Sequence, residues 1–235
     1  MKFSIVIPAF NEAACVHCSI DALRAQDIDR GDFEIIVVDN NSSDETFEAA
    51  SRAGADKVVK ELTKGTNPAR QRGFEESRGE IVAFLDADSE PPPTWLRKIE
   101  TDLKKPGVAA VSGPFDYQFP GLKGMLDGIY TRQVLPRIPK IMRFLFRRKA
   151  GVLIGGNFAA WRSTIEKIGG LPPLSFWGDD VAIAMLISRR VGQVIFDPEV
   201  KVKSSPRRFE KSGFFKLWIR YISAYLRIYF SPDYV

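Results

Sequence analysis

The chain has little cysteine and histidine, with 2 Cys and 1 His among 235 residues. Two cysteines cannot form a disulfide framework, which favours a reducing compartment. No run of about 18 apolar residues occurs, so we expect no helix that crosses a bilayer unaided. The apolar part of residues 1–8 is too short for a secretory signal, and Asn11 and Glu12 follow where a cleavage region would lie. These absences predict a cytoplasmic protein.

Motifs of several other functional classes are also missing. Neither G-x-G-x-x-G nor a P-loop follows the first predicted strand, which argues against a dinucleotide oxidoreductase and an NTPase. Cys15 and Cys18 have redox-motif spacing, but they lie in a predicted helix, and no Cys or His besides His17 is available to complete a zinc site. The net charge of +5 indicates an anionic partner. We expect no nucleic acid among the partners, because no recognised nucleic-acid motif occurs.

What the sequence does contain is a regular alternation of strand and helix patterns joined by short connections. Such alternation predicts an α/β fold with a parallel sheet that is covered on both faces. The predicted strands cover residues 3–8, 33–39, 56–60, 81–85, 108–117, 151–160 and 193–197. The predicted helices cover residues 11–26, 67–77, 92–104, 162–168, 181–190 and 213–230, with Asn11 capping the first and Ser42 or Ser43 capping a further helix.

Asp86 and Asp88 follow directly after the apolar strand 81–85, and three prolines at 91–93 prevent the strand from continuing. Both carboxylates should therefore lie at the carboxyl end of a strand, which is where open α/β sheets bind ligands. Paired carboxylates there suit a hard divalent cation that also holds phosphate oxygens. The alternative is that Asp88 or Ser89 caps the helix 92–104.

Polar clusters also follow other predicted strands. Asn11 and Glu12 follow the first strand, residues 39–44 end the second, and Asp179 and Asp180 precede a helix. Because the carboxyl ends of parallel strands share one edge of the sheet, we expect these groups to converge. With Arg70 and Arg72 nearby, they indicate a phosphorylated ligand and a cation.

Six segments, in this order and spacing, resemble a family 2 glycosyltransferase with the GT-A nucleotide-sugar-binding fold. They are residues 6–12, 37–46, 69–73, 84–88, 155–159 and 178–180. The resemblance implies a single Rossmann-like α/β domain with a mostly parallel central sheet and a C-terminal amphipathic helix. We predict a glycosyltransferase domain over 1–205, divided into a nucleotide-sugar-binding half (1–118) and an acceptor-side half (119–205). Residues 206–235 then form a basic loop and the amphipathic helix.

The resemblance also implies roles for single residues. Asp180 would be the general base of an inverting transfer, with Asp179 as the alternative base or as the cap of its helix. Asp88 and Asp86 would hold Mn²⁺ or Mg²⁺, without the late histidine of many such enzymes. The donor would be a UDP- or GDP-linked sugar. Its binding residues would be Pro8, Ala9, Phe10, Glu12, Asp39, Asn41, Arg70, Asp86, Ala87, Asp88, Asn157 and Arg208.

Two segments combine basic and apolar residues, at 121–150 and 213–230. The second is typical of a helix that lies in a membrane interface, or equally of a helix packed on the domain. We therefore expect peripheral contact with the cytoplasmic face of a membrane and a glycan or lipid-linked acceptor. The competing hypothesis is a catalytically silent nucleotide-sugar-binding or membrane-associated scaffold protein.

Overall fold

The computed structural model describes residues 1–147, 149–172, 178–207 and 214–231, with the backbone alone for 214–218. The strands are β1 (Phe3–Ala9), β2 (Phe33–Asp39), β3 (Lys57–Lys60), β4 (Ile81–Leu85), β5 (Ser89–Glu90), β6 (Val108–Ser112), β7 (Phe115–Asp116), β8 (Asn157–Trp161), β9 (Gln193–Phe196) and β10 (Val202–Ser204). The helices are α1 (Val16–Arg24), α2 (Thr46–Arg52), α3 (Thr66–Glu76), α4 (Trp95–Leu103), α5 (Gly121–Ile129), α6 (Ile138–Phe146), α7 (Arg162–Lys167), α8 (Asp179–Arg190) and α9 (Phe214–Phe230).

Seven strands form the central sheet in the order β3-β2-β1-β4-β8-β6-β9, and β5-β10-β7 form a small second sheet. The pairs β2–β3, β1–β2, β1–β4 and β6–β9 are parallel, as the sequence predicts. β8 is the exception, because it runs antiparallel to both β4 and β6. The segment that precedes β8 stays at the carboxyl-end edge of the sheet, where its residues line the cavity described below. The chain therefore enters β8 from that edge and runs in the opposite direction.

Both faces of the sheet are covered, which confirms the α/β prediction. Phe3, Ile5 and Ile7 of β1 pack on one face, in a core shared with α1 and α4. Val6 packs on the other face, in a core shared with α3, α7 and α8. This division follows from the alternation of side chains along a strand, and a strand buried on both faces must be apolar throughout.

Local polar residues shift several boundaries from their predicted positions. The first helix begins at Val16 and Asn11 does not cap it, because Asn11 has a left-handed φ of 55° and accepts a hydrogen bond from the Ser43 N–H. Helix α2 begins at Thr46. The Thr46 N–H donates a hydrogen bond to the Asp44 carboxylate, and neither Ser42 nor Ser43 is at the cap position.

Two predictions around β4 and β6 also change. Helix α4 begins at Trp95 with Thr94 at its cap position, so the alternative that Asp88 or Ser89 caps this helix is wrong. The predicted strand 108–117 is divided into β6 and β7 at Gly113. A Cβ at Gly113 would lie 1.9 Å from the Val200 carbonyl oxygen, so the glycine permits the close approach of another segment.

The basic and apolar segment is helical through most of its described length. Helix α5 continues into a π-helical turn over 130–134 and a 3₁₀ turn over 135–137 before α6. Helix α9 packs on α8 and α6, where Ile228 and Tyr229 join Met142 and Val181 in one cluster. Within the described part of the chain we find no helix whose length and hydropathy would let it cross a membrane.

Candidate functional site

A cavity of about 540 Å³ lies at the carboxyl-end edge of β1, β2 and β4. These strands are adjacent and parallel, so the segments that follow β1 and β4 meet there. A cavity of this size falls in the range of small-molecule sites. Its lining includes most of the predicted site residues, namely Pro8, Ala9, Phe10, Glu12, Arg70, Asp86, Ala87, Asp88, Asp179 and Asp180.

Asp88 and Glu12 share a cationic partner, the guanidinium of Arg207. Arg207 donates from Nη2 to Asp88 Oδ2 at 2.9 Å and to Glu12 Oε2 at 2.9 Å. The hydrogen bond to Glu12, followed by that to Asp88, raises the pKa of Arg207 further above its usual range. Two cavity-lining carboxylates from the ends of different strands therefore hold one positive charge.

Arg70 links two further carboxylates, Asp86 and Asp179. It is only 4% exposed, and it donates from Nη1 to Asp179 Oδ2 at 3.2 Å and from Nη2 to Asp86 Oδ1 at 3.4 Å. The sequence accommodates this pairing through two glycines. A Cβ at Gly155 would lie 2.7 Å from Arg70 Nη1, and a Cβ at Gly156 would lie 2.1 Å from the Asp86 carboxyl carbon. Any side chain at either glycine would displace the charged network.

Asp179 and Asp180 occupy the first turn of α8, where the helix dipole favours negative charge. The position before them, Gly178, has a φ of 102° that favours glycine. Burial raises the pKa of Asp179, and the nearby charge of Arg70 opposes this effect. Burial and then the charge of Asp179 raise the pKa of Asp180 to about 7. Among the described residues no ion pair involves Asp180, which accepts a hydrogen bond from the Val181 N–H.

The donor set fits a cation that takes only part of its coordination from the protein. The described residues contain no group of three or more His, Cys, Asp or Glu side chains arranged to enclose a metal ion. Asp88 nonetheless holds a guanidinium cation together with Glu12. Carboxylate oxygens suit Mn²⁺ or Mg²⁺, and Mg²⁺ in particular is often held by one or two carboxylates with waters and substrate phosphates.

Comparison with known protein families gives a clear assignment. The model of the family described as Glycosyl transferase family 2 matches residues 4–169, which is more than half of the chain. The chain belongs to this family.

Three curated relatives illustrate the range of family 2 proteins that this chain resembles. Glycosyltransferase AglE of Haloferax volcanii is 32% identical over 50% of this chain and 40% of its own length. The dolichol-phosphate mannosyltransferase of Pyrococcus furiosus is 31% identical over 49% and 34%, and the probable glycosyltransferase YdaM of Bacillus subtilis is 30% identical over 78% and 44%. The matched regions thus span less than half the length of these relatives.

Solved structures of glycosyltransferases share the fold. The mannosyltransferase PcManGT of Pyrobaculum calidifontis, solved with GDP-Man and Mn²⁺, aligns with a TM-score of 0.69 and 25% identity over 93% of this chain and 60% of that one. Glucosyl-3-phosphoglycerate synthase of Mycobacterium tuberculosis aligns with a TM-score of 0.67 and 21% identity over 97% and 79%. The α/β architecture is that of the GT-A glycosyltransferases.

Of the residues that the family 2 resemblance implicates, three do not line the cavity and a fourth lies outside the described residues. Asp39 is buried and accepts a hydrogen bond from the Ser42 N–H, while Asn41 is exposed. Asn157 is fully buried and bonds to Trp95 and to the carbonyl oxygens of Pro114 and Val200. Arg208 lies outside the described residues.

Sequence reasoning missed three groups near this edge of the sheet. Asn40 and Thr66 line the cavity, and Arg207 contacts its carboxylates. Arg207 lies in the basic loop predicted at the start of 206–235, but the sequence offers no signal that separates Arg207 from its neighbour Arg208.

The half of the cavity beyond Asp180 has a different chemistry. Its walls come from the segment 130–142, from 152–154 and from α9, and they are mostly apolar or aromatic. The apolar and aromatic residues of this half are Tyr130, Leu135, Ile138, Met142, Val152, Leu153, Ile154, Val181, Tyr221, Ile222, Tyr225 and Leu226. One cavity therefore joins a charged compartment to an apolar one.

Proposed function

We propose that this protein is a metal-dependent, inverting glycosyltransferase that moves a sugar from a nucleoside-diphosphate sugar to a hydroxyl acceptor. One observation carries the proposal: a single cavity contains both the cation-holding carboxylate Asp88 and Asp180, whose pKa is about 7. Membership of Glycosyl transferase family 2 supports it, as does the fold shared with a mannosyltransferase whose structure contains GDP-Man and Mn²⁺.

Asp88, with Asp86, would hold the divalent cation, and Glu12 is the further carboxylate at that position. A bound cation would supply charge stabilisation for the nucleoside-diphosphate leaving group. Arg70 contributes a buried positive charge, but Asp86 and Asp179 already share it. We therefore assign Arg70 mainly to positioning these two carboxylates.

Asp180 is the group that we assign as general base. A base works best when its pKa lies near the operating pH, and the shift of Asp180 to about 7 meets that condition. Asp180 accepts the proton of the acceptor hydroxyl while the acceptor oxygen bonds to the anomeric carbon. The bond from that carbon to the diphosphate oxygen breaks on the opposite side, so the anomeric configuration inverts. Asp179 is the weaker candidate, because its carboxylate is paired with Arg70 at 3.2 Å.

The acceptor is a glycan or a lipid-linked molecule at the cytoplasmic face of a membrane. The relatives include a dolichol-phosphate mannosyltransferase and an undecaprenyl-phosphate 4-deoxy-4-formamido-L-arabinose transferase of Pseudomonas aeruginosa. Exposed apolar side chains on α5 and α6, among them Leu122, Met125, Phe144 and Leu145, support peripheral contact with such a membrane.

The proposal is tested by incubating the full chain with GDP-mannose or UDP-glucose, with and without Mn²⁺, and measuring the release of nucleoside diphosphate. We expect slow, metal-dependent release from one donor, since water replaces the missing acceptor. Tight nucleotide binding without release or transfer, even with an acceptor extract, would favour the silent scaffold instead.

A further inference from the structure

The apolar half of the cavity offers few side chains that would bind a diphosphate or a cation. Nine of its lining residues are apolar and carry no hydrogen-bonding group, among them Leu135, Ile138 and Met142, and three more are tyrosines. The compartment is nevertheless continuous with the charged half through Asp180 and Val181, which are consecutive residues of α8. A molecule bound there would therefore extend directly from the carboxylate that we assign as base.

The same compartment opens onto an exposed apolar surface. Ile222 and Leu226 line the cavity, yet they are 47% and 43% exposed, so its wall at α9 reaches the outside of the protein. Helix α6, whose Met142 lines the cavity, also exposes Ile141 and Leu145. A purely hydrophilic acceptor would leave both this opening and the compartment behind it without matching contacts. An apolar chain would bury them.

A small polar group also lies in this compartment. Asp127, Tyr130 and Thr131 line it, and Tyr221 faces them from α9. Burial, followed by the charge of Asp116, raises the pKa of Asp127 to about 6. Burial, followed by the charge of Asp127, also raises the pKa of Tyr130. The compartment thus offers hydroxyl and carboxyl groups beside apolar walls, which suits an amphiphile better than a simple hydrocarbon.

We infer that this compartment is the acceptor subsite and that it binds the apolar chain of an amphiphilic acceptor, whose reacting hydroxyl lies at Asp180. The inference rests on the proposed function and adds the substrate class. The chain runs between the segment 130–142 and α9 and leaves past Ile222 and Leu226. Transfer then joins the acceptor oxygen to the anomeric carbon, the diphosphate leaves with its oxygen, and Asp180 takes the acceptor proton.

Chain-length dependence tests this inference. The probes are n-butyl, n-hexyl and n-octyl β-glucoside, each below its micelle concentration, titrated by calorimetry into the full chain with Mn²⁺ and a nucleoside diphosphate. Burying a methylene contributes enough free energy for about a fourfold gain in affinity. We expect affinity to rise by about this factor per methylene, with one probe bound per chain.

Two variants on the same helix separate the cavity from the outer surface. Leu226→Asp places a charge in the cavity wall at a position that is already partly exposed, so it should remove the chain-length dependence without unfolding the protein. Ile219→Asp is the matched control, because Ile219 is 69% exposed on α9 and does not line the cavity. It should retain the full dependence. Nucleoside-diphosphate affinity, measured in each variant, confirms that the charged half is intact.

The outcomes are distinguishable. Equal affinity for all three glucosides, with nucleoside diphosphate still bound, would overturn the amphiphile assignment and leave the proposed function standing. Equal loss in Leu226→Asp and Ile219→Asp would place the chain on the outer surface and also overturn it. If neither GDP nor UDP binds with Mn²⁺, the proposed function fails and the acceptor assignment fails with it.

Discussion

Arg207 donates from Nη2 to the Asp88 carboxylate at 2.9 Å, at the position where the proposed divalent cation would bind. An incoming cation must therefore displace the guanidinium. We predict that Arg207→Ala strengthens the binding of Mn²⁺ alone by about two- to fivefold, the range expected when a partly exposed ion pair no longer competes. Calorimetry with Mn²⁺ in the absence of nucleotide measures this change.

Lys203→Ala is the control for Arg207→Ala. Lys203 also comes from the β10 region and pairs with Glu90 at 2.9 Å, but neither residue lines the cavity. Its removal should leave Mn²⁺ affinity unchanged. Equal or weaker Mn²⁺ binding in Arg207→Ala would show that the guanidinium does not compete with the cation.

Asp88→Asn is expected to abolish metal-dependent nucleotide binding while the fold stays intact. The side chain does not cap α4, so its substitution removes no helix cap. The loss arises because a neutral amide is a much poorer ligand for a hard cation than a carboxylate. Calorimetry with GDP or UDP and Mn²⁺ measures it, and Glu90→Gln, two residues away, serves as the control. Unchanged nucleotide affinity in Asp88→Asn would remove Asp88 from the metal site.

Asp180→Asn is expected to retain donor binding and to lower turnover by about 100-fold or more, as the loss of a general base should. Initial rates with a saturating donor measure the change, and Glu166→Gln, exposed on α7, is a neutral comparison. If Asp179→Asn shows this loss while Asp180→Asn does not, the base is Asp179. Because Asp179 pairs with Arg70, we expect Asp179→Asn to weaken donor binding in addition to any effect on turnover.

The raised pKa of Asp180 predicts opposite trends for activity and stability. The base acts as a carboxylate, so turnover should rise with pH through about 7 and then level off. The folded state retains a proton that the unfolded chain releases near pH 4, so the free energy of unfolding should fall between about pH 4 and pH 7. Rate profiles and denaturation at several pH values measure both trends. Asp180→Asn should flatten this part of the stability profile, and an unchanged profile would contradict the shift.

The structure gives α9 a packed face and an exposed one. Ala224, Ile228 and Tyr229 are buried, whereas Arg220 and Arg227 are exposed. We therefore predict flotation of the full chain with phosphatidylglycerol vesicles at low salt, and weaker flotation at high salt. Each exposed basic residue near such a surface contributes about 1 kcal/mol, and salt screens this contribution.

Two substitutions locate the membrane contact. Phe144→Asp, at a side chain that is 84% exposed on α6, should reduce flotation. Leu62→Asp, at a side chain that is 73% exposed near β3, should not. Full-length protein that stays at the bottom of the gradient at low salt would contradict membrane contact and favour a soluble acceptor.

The sequence predicted best where one local pattern determines the structure. Asp86 and Asp88 follow a strand that is apolar throughout and precede three prolines. Residues 81–93 alone therefore predict the strand, the place where it ends and the position of the two carboxylates. The direction of β8 was not predictable in this way, because it depends on where residues 121–146 lie in space. Asn11 was misassigned as a cap because a partner 32 residues away, Ser43, takes its side chain.

Within the site, too, local patterns predict some residues and miss contacts between distant parts of the sequence. Ten of the predicted residues line the cavity because they lie in or next to β1, β4, α3 and α8, whose arrangement follows from the alternation of strands and helices. Arg207 reaches Glu12 across 195 residues of sequence, and no local pattern records that contact. The apolar compartment is likewise assembled from separate segments, 130–142, 152–154 and α9, and no local pattern records that they meet.

The position of β8 between β4 and β6 has a consequence for how the chain acquires its structure during synthesis. Until residue 161 has left the ribosome, the sheet has a gap in its middle, and β4 and β6 each present an unpaired inner edge. Unpaired edges of apolar strands are sites of aggregation. A fragment ending near residue 118 would retain both edges permanently, although it contains Asp86 and Asp88. The predicted nucleotide-sugar-binding half (1–118) therefore needs β8, which lies beyond its C-terminal boundary, to pair both of these edges.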